Sequence, residues 1–247
     1  MNAIKPTFSG FNPDYKFDIK NIFEQGNALT KQNIFLLARA LVMIISLGVV
    51  VILILFDAYG ISDIAKIASG EIVLTIAQQL GIDLSLTVVL APLWTGISMA
   101  AVFSNRSINI PFSSIFVFFK LLPLVAIAYL LINTSFEIGL RLLVIPGFYI
   151  FVATTFTLIL IADKGLRPFQ AIWWSVKAVN HYIVPMLVIF SCFFLMLILV
   201  FFTFGLAYLY VGPLFFNVKA ILYEAIFCHE SILEERNVKS EQGVFDA

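Results

Sequence analysis

The chain has 247 residues, 61% of them apolar and only 12% charged, with 15 basic side chains balancing 15 acidic ones. Water-soluble domains carry about a quarter charged residues, so soluble classes are excluded, and a neutral chain with no basic tract has no electrostatic footprint for nucleic acid. A mean hydropathy of +1.02 reads as an all-α polytopic membrane protein with six transmembrane helices and interfacial amphipathic segments.

A helix needs about 20 apolar residues to cross roughly 30 Å of hydrocarbon. Six segments meet this requirement, at about 34–56, 84–104, 121–139, 142–162, 183–205 and 210–228. The chain then divides into an N-terminal segment 1–33, a transmembrane domain 34–228 and a tail 229–247. The first 33 residues lack the short apolar stretch and small-residue cleavage site of a secretory signal. An even number of spans puts both termini on one side. Eleven Lys and Arg fall on the terminal side against two, Lys66 and Arg141, on the other, and Arg39 and Lys219 lie within spans. By the positive-inside rule both termini are cytoplasmic.

In chain order, residues 17–30 mix Phe17, Ile19, Ile22, Phe23 and Leu29 with Asp18, Lys20 and Glu24, a pattern that suits a helix lying on the cytoplasmic interface. Arg39, a turn and a half inside the first span, can snorkel to headgroups. In the outer loop 57–83, Ile61, Ile64, Ala68, Ile72, Ile76 and Leu80 share one helical face. Gly96 and Ala100 form a small-xxx-small pair in the second span, which permits close helix approach. Phe112, Ile115, Phe116 and Phe119 give 111–120 a helical stripe ending at Lys120. Glu137 and Arg141, four apart, are spaced for a helical ion pair at the outer boundary.

Pro146 and Gly147 then predict that the fourth span kinks or starts irregularly, and Gly165 is placed as a C-cap glycine. In 166–180, Phe169, Trp173, Val176 and Asn180 fall one turn apart between Arg167 and Lys177, and Trp173 and Trp174 fit an aromatic belt. For each of these amphipathic segments the alternative is a packing face on the protein's own helices. Cys192 and Cys228 read as small buried hydrophobes.

The last span carries the most informative polar residues. Lys219 falls near its middle with Asn217, Tyr223 and Glu224 close by. Lys219 and Tyr223 share a face, whereas Glu224 at i+5 is rotated by about 140°. Lys219 therefore needs a partner on another helix, a freed carbonyl or a water-filled cavity. As a ligand site, Lys219, Asn217 and Tyr223 would line a polar cavity for an anionic headgroup or solute. The alternative is a structural lysine bonded between helices.

The stretch Val144-Ile145-Pro146-Gly147-Phe148-Tyr149, then Asp163-Lys164-Gly165, Ala171, Ser175 and Asn180, resembles the bacterial inner-membrane family typified by YciC. It is also similar to the membrane domain fused to some glycerophosphodiester phosphodiesterases. Gly26, Leu29, Thr30, Lys31 and Asn33, leading into the first span, carry the same likeness. The resemblance implies six helices, a bacterial inner membrane and no established chemistry, and it transfers no catalytic residue.

His181 and His229 have no zinc-ligand spacing, and there is no GxSxG, Walker or dinucleotide fingerprint. No metal, cofactor or catalytic residue is expected. The residues point to a non-enzymatic inner-membrane protein that supports envelope or membrane organisation through contacts with membrane lipids, other membrane proteins or copies of itself. The alternative is a small transporter or flippase-like carrier with its cavity near Lys219. A lipid-processing enzyme would need a second acidic or nucleophilic group beside Glu224.

Overall fold

The computed structural model describes residues 10–61 and 73–228. The described residues are all-helical, and six helical stretches are long and apolar enough to cross a membrane. They are α1 (Ile19–Ala58), α2 (Ile76–Asn105), the stretch Phe112–Leu142, the pair α4 (Val144–Ala153) and α5 (Thr157–Lys164), α7 (Ile183–Phe202) and α8 (Tyr208–Phe227). Phe112–Leu142 opens with a 3-10 segment (Phe112–Leu121) and continues as α3 (Leu122–Leu142), while α6 (Pro168–His181) is too short to span. Most of the outer-loop face expected from Ile64, Ala68 and Ile72 lies outside the described residues.

Hydropathy and burial run in opposite senses along this chain. The most apolar stretch of α7 has a mean hydropathy of 3.0, yet Phe194, Leu195, Leu199, Phe201 and Phe202 are exposed. That of α8 reaches only 1.2, and nearly all of α8 from Val211 to Tyr223 is buried, chiefly against α1 and α2. Lipid tails are as apolar as leucine, so packing and polar contacts between helices, not burial of grease, decide which helix is central.

Residues 17–30 do not form a separate helix on the interface. From Ile19 they continue into the first span as one 40-residue helix, N-capped by the Asp18 carboxylate, which accepts from the Asn21 N–H at 3.1 Å. At 1.5 Å per residue this is about 60 Å, twice the hydrocarbon thickness. No breaker separates the two parts, and Ile22, Gly26, Thr30 and Asn33 are buried in the bundle, so tertiary packing carries the helix through.

The 111–120 segment also differs from the amphipathic α-helix its stripe suggests. It is a ten-residue 3-10 helix with only Ile115 buried. A Cβ on Gly96 would lie 2.5 Å from the Ile115 carbonyl oxygen, so the glycine is what lets this segment turn back along α2.

Pro146 and Gly147 fall in the first turn of α4, directly after extended Leu143 (φ −163°). A proline there sacrifices no helical bond. Gly147 lets α4 lie against α3, because a Cβ on Gly147 would come within 2.6 Å of Leu140 Cδ2. The bend inside the span lies further on, at 154–156, and it has a visible cause. The Ser175 hydroxyl of α6 donates to the Ala153 carbonyl at 2.8 Å and accepts from the Phe156 N–H at 3.2 Å. A side chain inserted into the helical ladder separates α4 from α5. Gly165, left-handed at φ 66°, stops α5 where its position predicts.

Helix α6 turns Pro168, Ala171, Ser175 and Ala178 inward and leaves Phe169, Trp173 and Asn180 exposed. Asn180 accepts from the Tyr149 hydroxyl at 2.7 Å. Cys228 is buried, while Cys192 is only partly so. Glu137 accepts from Asn133 at 3.0 Å, and no ion pair with Arg141 forms.

Candidate functional site

The C-termini of α2, α5 and α8, the ends of the second, fourth and sixth spans, meet at one polar knot. Each brings the negative end of a helix dipole, and two also bring a carboxylate, Asp163 in the last turn of α5 and Glu224 in that of α8. Carboxylates at that end of a helix are disfavoured. Arg106, which caps α2, resolves the conflict. Its Nη1 and Nη2 donate to the two Asp163 oxygens at 2.8 and 3.1 Å, and its Nε donates to Glu224 Oε1 at 2.7 Å. The Tyr223 hydroxyl adds a bond to Asp163 Oδ2 at 2.7 Å, and Lys164 Nζ approaches the same oxygen at 3.5 Å. Burial alone would pull the Arg106 guanidinium down, but the Asp163 hydrogen bonds and both carboxylate charges hold it above the usual arginine value. The neighbouring Cys228 thiol is pushed up to about 11, first by burial and then by Glu224.

A second polar cluster lies within the bundle. Asn33 and Asn217 exchange amide hydrogen bonds, both 2.9 Å. Asn33 also donates to Ser104 at 2.8 Å, Asn217 to Thr30 at 2.9 Å, and Thr30 to the Gly26 carbonyl at 2.7 Å. The cluster ties α1, α2 and α8 together, with both asparagine amides paired through their nitrogens and oxygens. Lys219 reaches across to Ser98 of α2 at 3.3 Å and lies 5.8 Å from the centroid of the Phe216 ring.

The structure therefore sends the three expected ligand residues to different partners: Asn217 to α1, Lys219 to α2 and Tyr223 to α5. They share a helix but do not converge on one point. The second acidic group beside Glu224 that a lipid-processing enzyme would require is present as Asp163, but both carboxylates are engaged by Arg106. Among the described residues no group of three His, Cys, Asp or Glu could hold a metal ion.

Two clefts of about 580 Å³ open on the bundle surface. One is apolar and is lined by Pro146 and Phe148 on α4 and Leu187 on α7. The other lies between α1 and the loop after α2, with Asn33 and Ser104 on its wall and Arg39 on its rim. Neither is lined by Lys219.

Residues 10–17 cross the same end of the bundle as the knot. The Asn12 N–H donates to the Ile226 carbonyl at 2.7 Å, and the Tyr182 hydroxyl donates to the Asn12 carbonyl at 2.6 Å while accepting from the Tyr15 N–H at 3.0 Å. The entry to the first span and the exit of the last thus share one face.

No family model, curated protein or solved structure matches the chain. It is an integral membrane protein by its six apolar spans.

Proposed function

We propose that the protein is a non-enzymatic component of a bacterial inner membrane that supports membrane or envelope organisation through lipid contacts. The observation that carries this reading is how its polar groups are spent. The Arg106 knot and the Asn33–Asn217 cluster engage their members with one another, whereas the cleft beside α1 presents the exposed side chains of Arg39, Gln32, Ser107 and Asn109, of which only Arg39 makes a side-chain hydrogen bond among the described residues. The eleven-to-two distribution of Lys and Arg supports cytoplasmic placement of both termini. The likeness to the YciC family supports the bacterial inner membrane as its location.

Deletion of the gene tests the reading, with detergent sensitivity, permeability to a nucleic-acid dye and phospholipid composition as readouts. A change in at least one, restored by the full chain, is the expected result. All three unchanged would refute it. A carrier with its cavity at Lys219 is the second reading, favoured by a lysine buried at mid-span. It requires solute or lipid flux in proteoliposomes that Lys219→Met abolishes while the folded protein persists.

A further inference from the structure

We propose that the cleft between α1 and the loop after α2 binds the phosphate of an anionic phospholipid, with Arg39 as its cationic contact. This rests on the lipid-contact reading above and names its site.

Arg39 is exposed on the same face of α1 as Phe35 and Val42, which points to lipid in a six-span bundle. Its Nε is committed to the Phe35 carbonyl one turn back, at 2.8 Å. That bond steers the guanidinium toward the chain's entry into the first span, and among the described residues its two terminal nitrogens have no partner. An arginine a turn and a half inside a span reaches the headgroup layer by snorkelling, where the phosphates are its natural counter-charge.

The remaining polar lining consists of Gln32, Asn33, Ser104, Ser107 and Asn109, with no acidic residue. Asn33 and Ser104 are bonded to each other and form a fixed wall. Gln32, Ser107 and Asn109 make no side-chain hydrogen bond within the described residues, so an amide, a hydroxyl and a second amide remain as donors beside one unopposed positive charge. Leu36, Ile110 and Phe112 complete the cleft with apolar surface. A phosphate attached to a hydrocarbon chain satisfies both halves; a free phosphate satisfies only the first.

Ser107 supplies an independent observation. It occupies the left-handed position after α2 at φ 57°. The Ser107 N–H returns to the Ser104 carbonyl at 3.0 Å and the Ile108 N–H to the Phe103 carbonyl at 2.8 Å, the pair of bonds that ordinarily selects glycine at this position. A side chain there carries strain, and here that residue lines the cleft.

The test uses the purified full chain, stripped of lipid in maltoside detergent and titrated with short-chain phosphatidylglycerol, with phosphatidylcholine and with inorganic phosphate, bound species being counted by native mass spectrometry. Phosphatidylglycerol should bind about tenfold or more tightly than phosphatidylcholine, and Arg39→Gln should remove that preference. Ser107→Gly should weaken phosphatidylglycerol binding while leaving thermal stability equal or higher, which separates loss of the hydroxyl from loss of fold. Lys20→Gln, on the same helix but outside the cleft, should bind like the unmodified protein. Equal binding of the two lipids, or an Arg39→Gln protein that keeps its preference, overturns the site. Inorganic phosphate binding as tightly as phosphatidylglycerol overturns the lipid assignment. If Arg39→Gln loses binding yet fully restores a deletion strain, the site stands and the organisational role fails. If it binds normally while deletion alters the membrane, only the site fails.

Discussion

Replacing Arg106 by alanine removes the one side chain that three helix ends share. Asp163 and Glu224 are 11% and 12% exposed, so both charges would be left largely buried beside the negative ends of α5 and α8. Breaking a buried ion pair from one side costs about 3–5 kcal/mol. For a chain of this size about 2–4 °C of melting temperature is lost per kcal/mol, so a fall of roughly 6–20 °C is expected. Arg106→Lys keeps the charge, but an ammonium is a point donor that cannot hold both Asp163 oxygens and Glu224 in one plane, and an intermediate loss follows. Combining Arg106→Met with Asp163→Asn and Glu224→Gln removes both carboxylate charges as well, and should recover much of the loss. Thermal denaturation in detergent, followed by size-exclusion recovery, measures all three. A shift below about 2 °C for Arg106→Ala, or a triple variant as unstable as the single one, would refute the assignment of the knot as the tie between the even-numbered spans.

Ser175→Ala strips the partner from the Ala153 carbonyl and the Phe156 N–H, and should cost about 1–3 kcal/mol, read as a lower melting temperature; an unchanged value would show that the bend closes without the serine. Gly96→Ala drives a methyl group into the Ile115 carbonyl and should cost about 1–3 kcal/mol by overpacking. Equal folded yield and melting temperature would contradict the close approach of the 3-10 segment to α2. Cys228, buried with its thiol pushed up to about 11, is mostly protonated at neutral pH. In a Cys192→Ser background maleimide should label it slowly at pH 7, faster as pH rises toward 11, and quickly once the protein is denatured. Rapid labelling of the native protein at pH 7 would show the thiol to be accessible.

The spans were legible because hydrocarbon imposes a length and a composition that local sequence records directly. Their limits were less so. Nothing between Asn27 and Ile34 breaks a helix, yet the mixed charges of 17–30 read as a separate element, because burial of Gly26, Thr30 and Asn33 in the bundle is a tertiary fact. Pro146 and Gly147 stand in the first turn of the fourth span, directly after extended Leu143, where a proline is neutral, and the bend within the span comes from Ser175, 19 residues from its Phe156 partner. The cost of an unsatisfied ammonium in hydrocarbon requires for Lys219 a partner on another helix, a freed carbonyl or a water-filled cavity, and the structure supplies the first of these in Ser98.

The Arg106 knot escaped sequence reasoning because its partners are 57 and 118 residues away, beyond any periodicity. A signal was nevertheless present. Asp163 and Glu224 each stand at the end of an even-numbered span, the wrong end of a helix dipole for a carboxylate, and Arg106 stands at the end of another. Even-numbered spans run in the same direction and end at one depth, so opposite charges there are placed to meet.

The lipids that remain with the protein through purification test the account most directly. Gentle detergent extraction of the full chain and of Arg39→Gln, followed by mass analysis of the retained phospholipids against the bulk membrane, should find anionic species enriched with the unmodified chain and reduced to the bulk proportion with the variant. Bulk composition in both, from equally folded preparations, would contradict a lipid-binding role centred on Arg39.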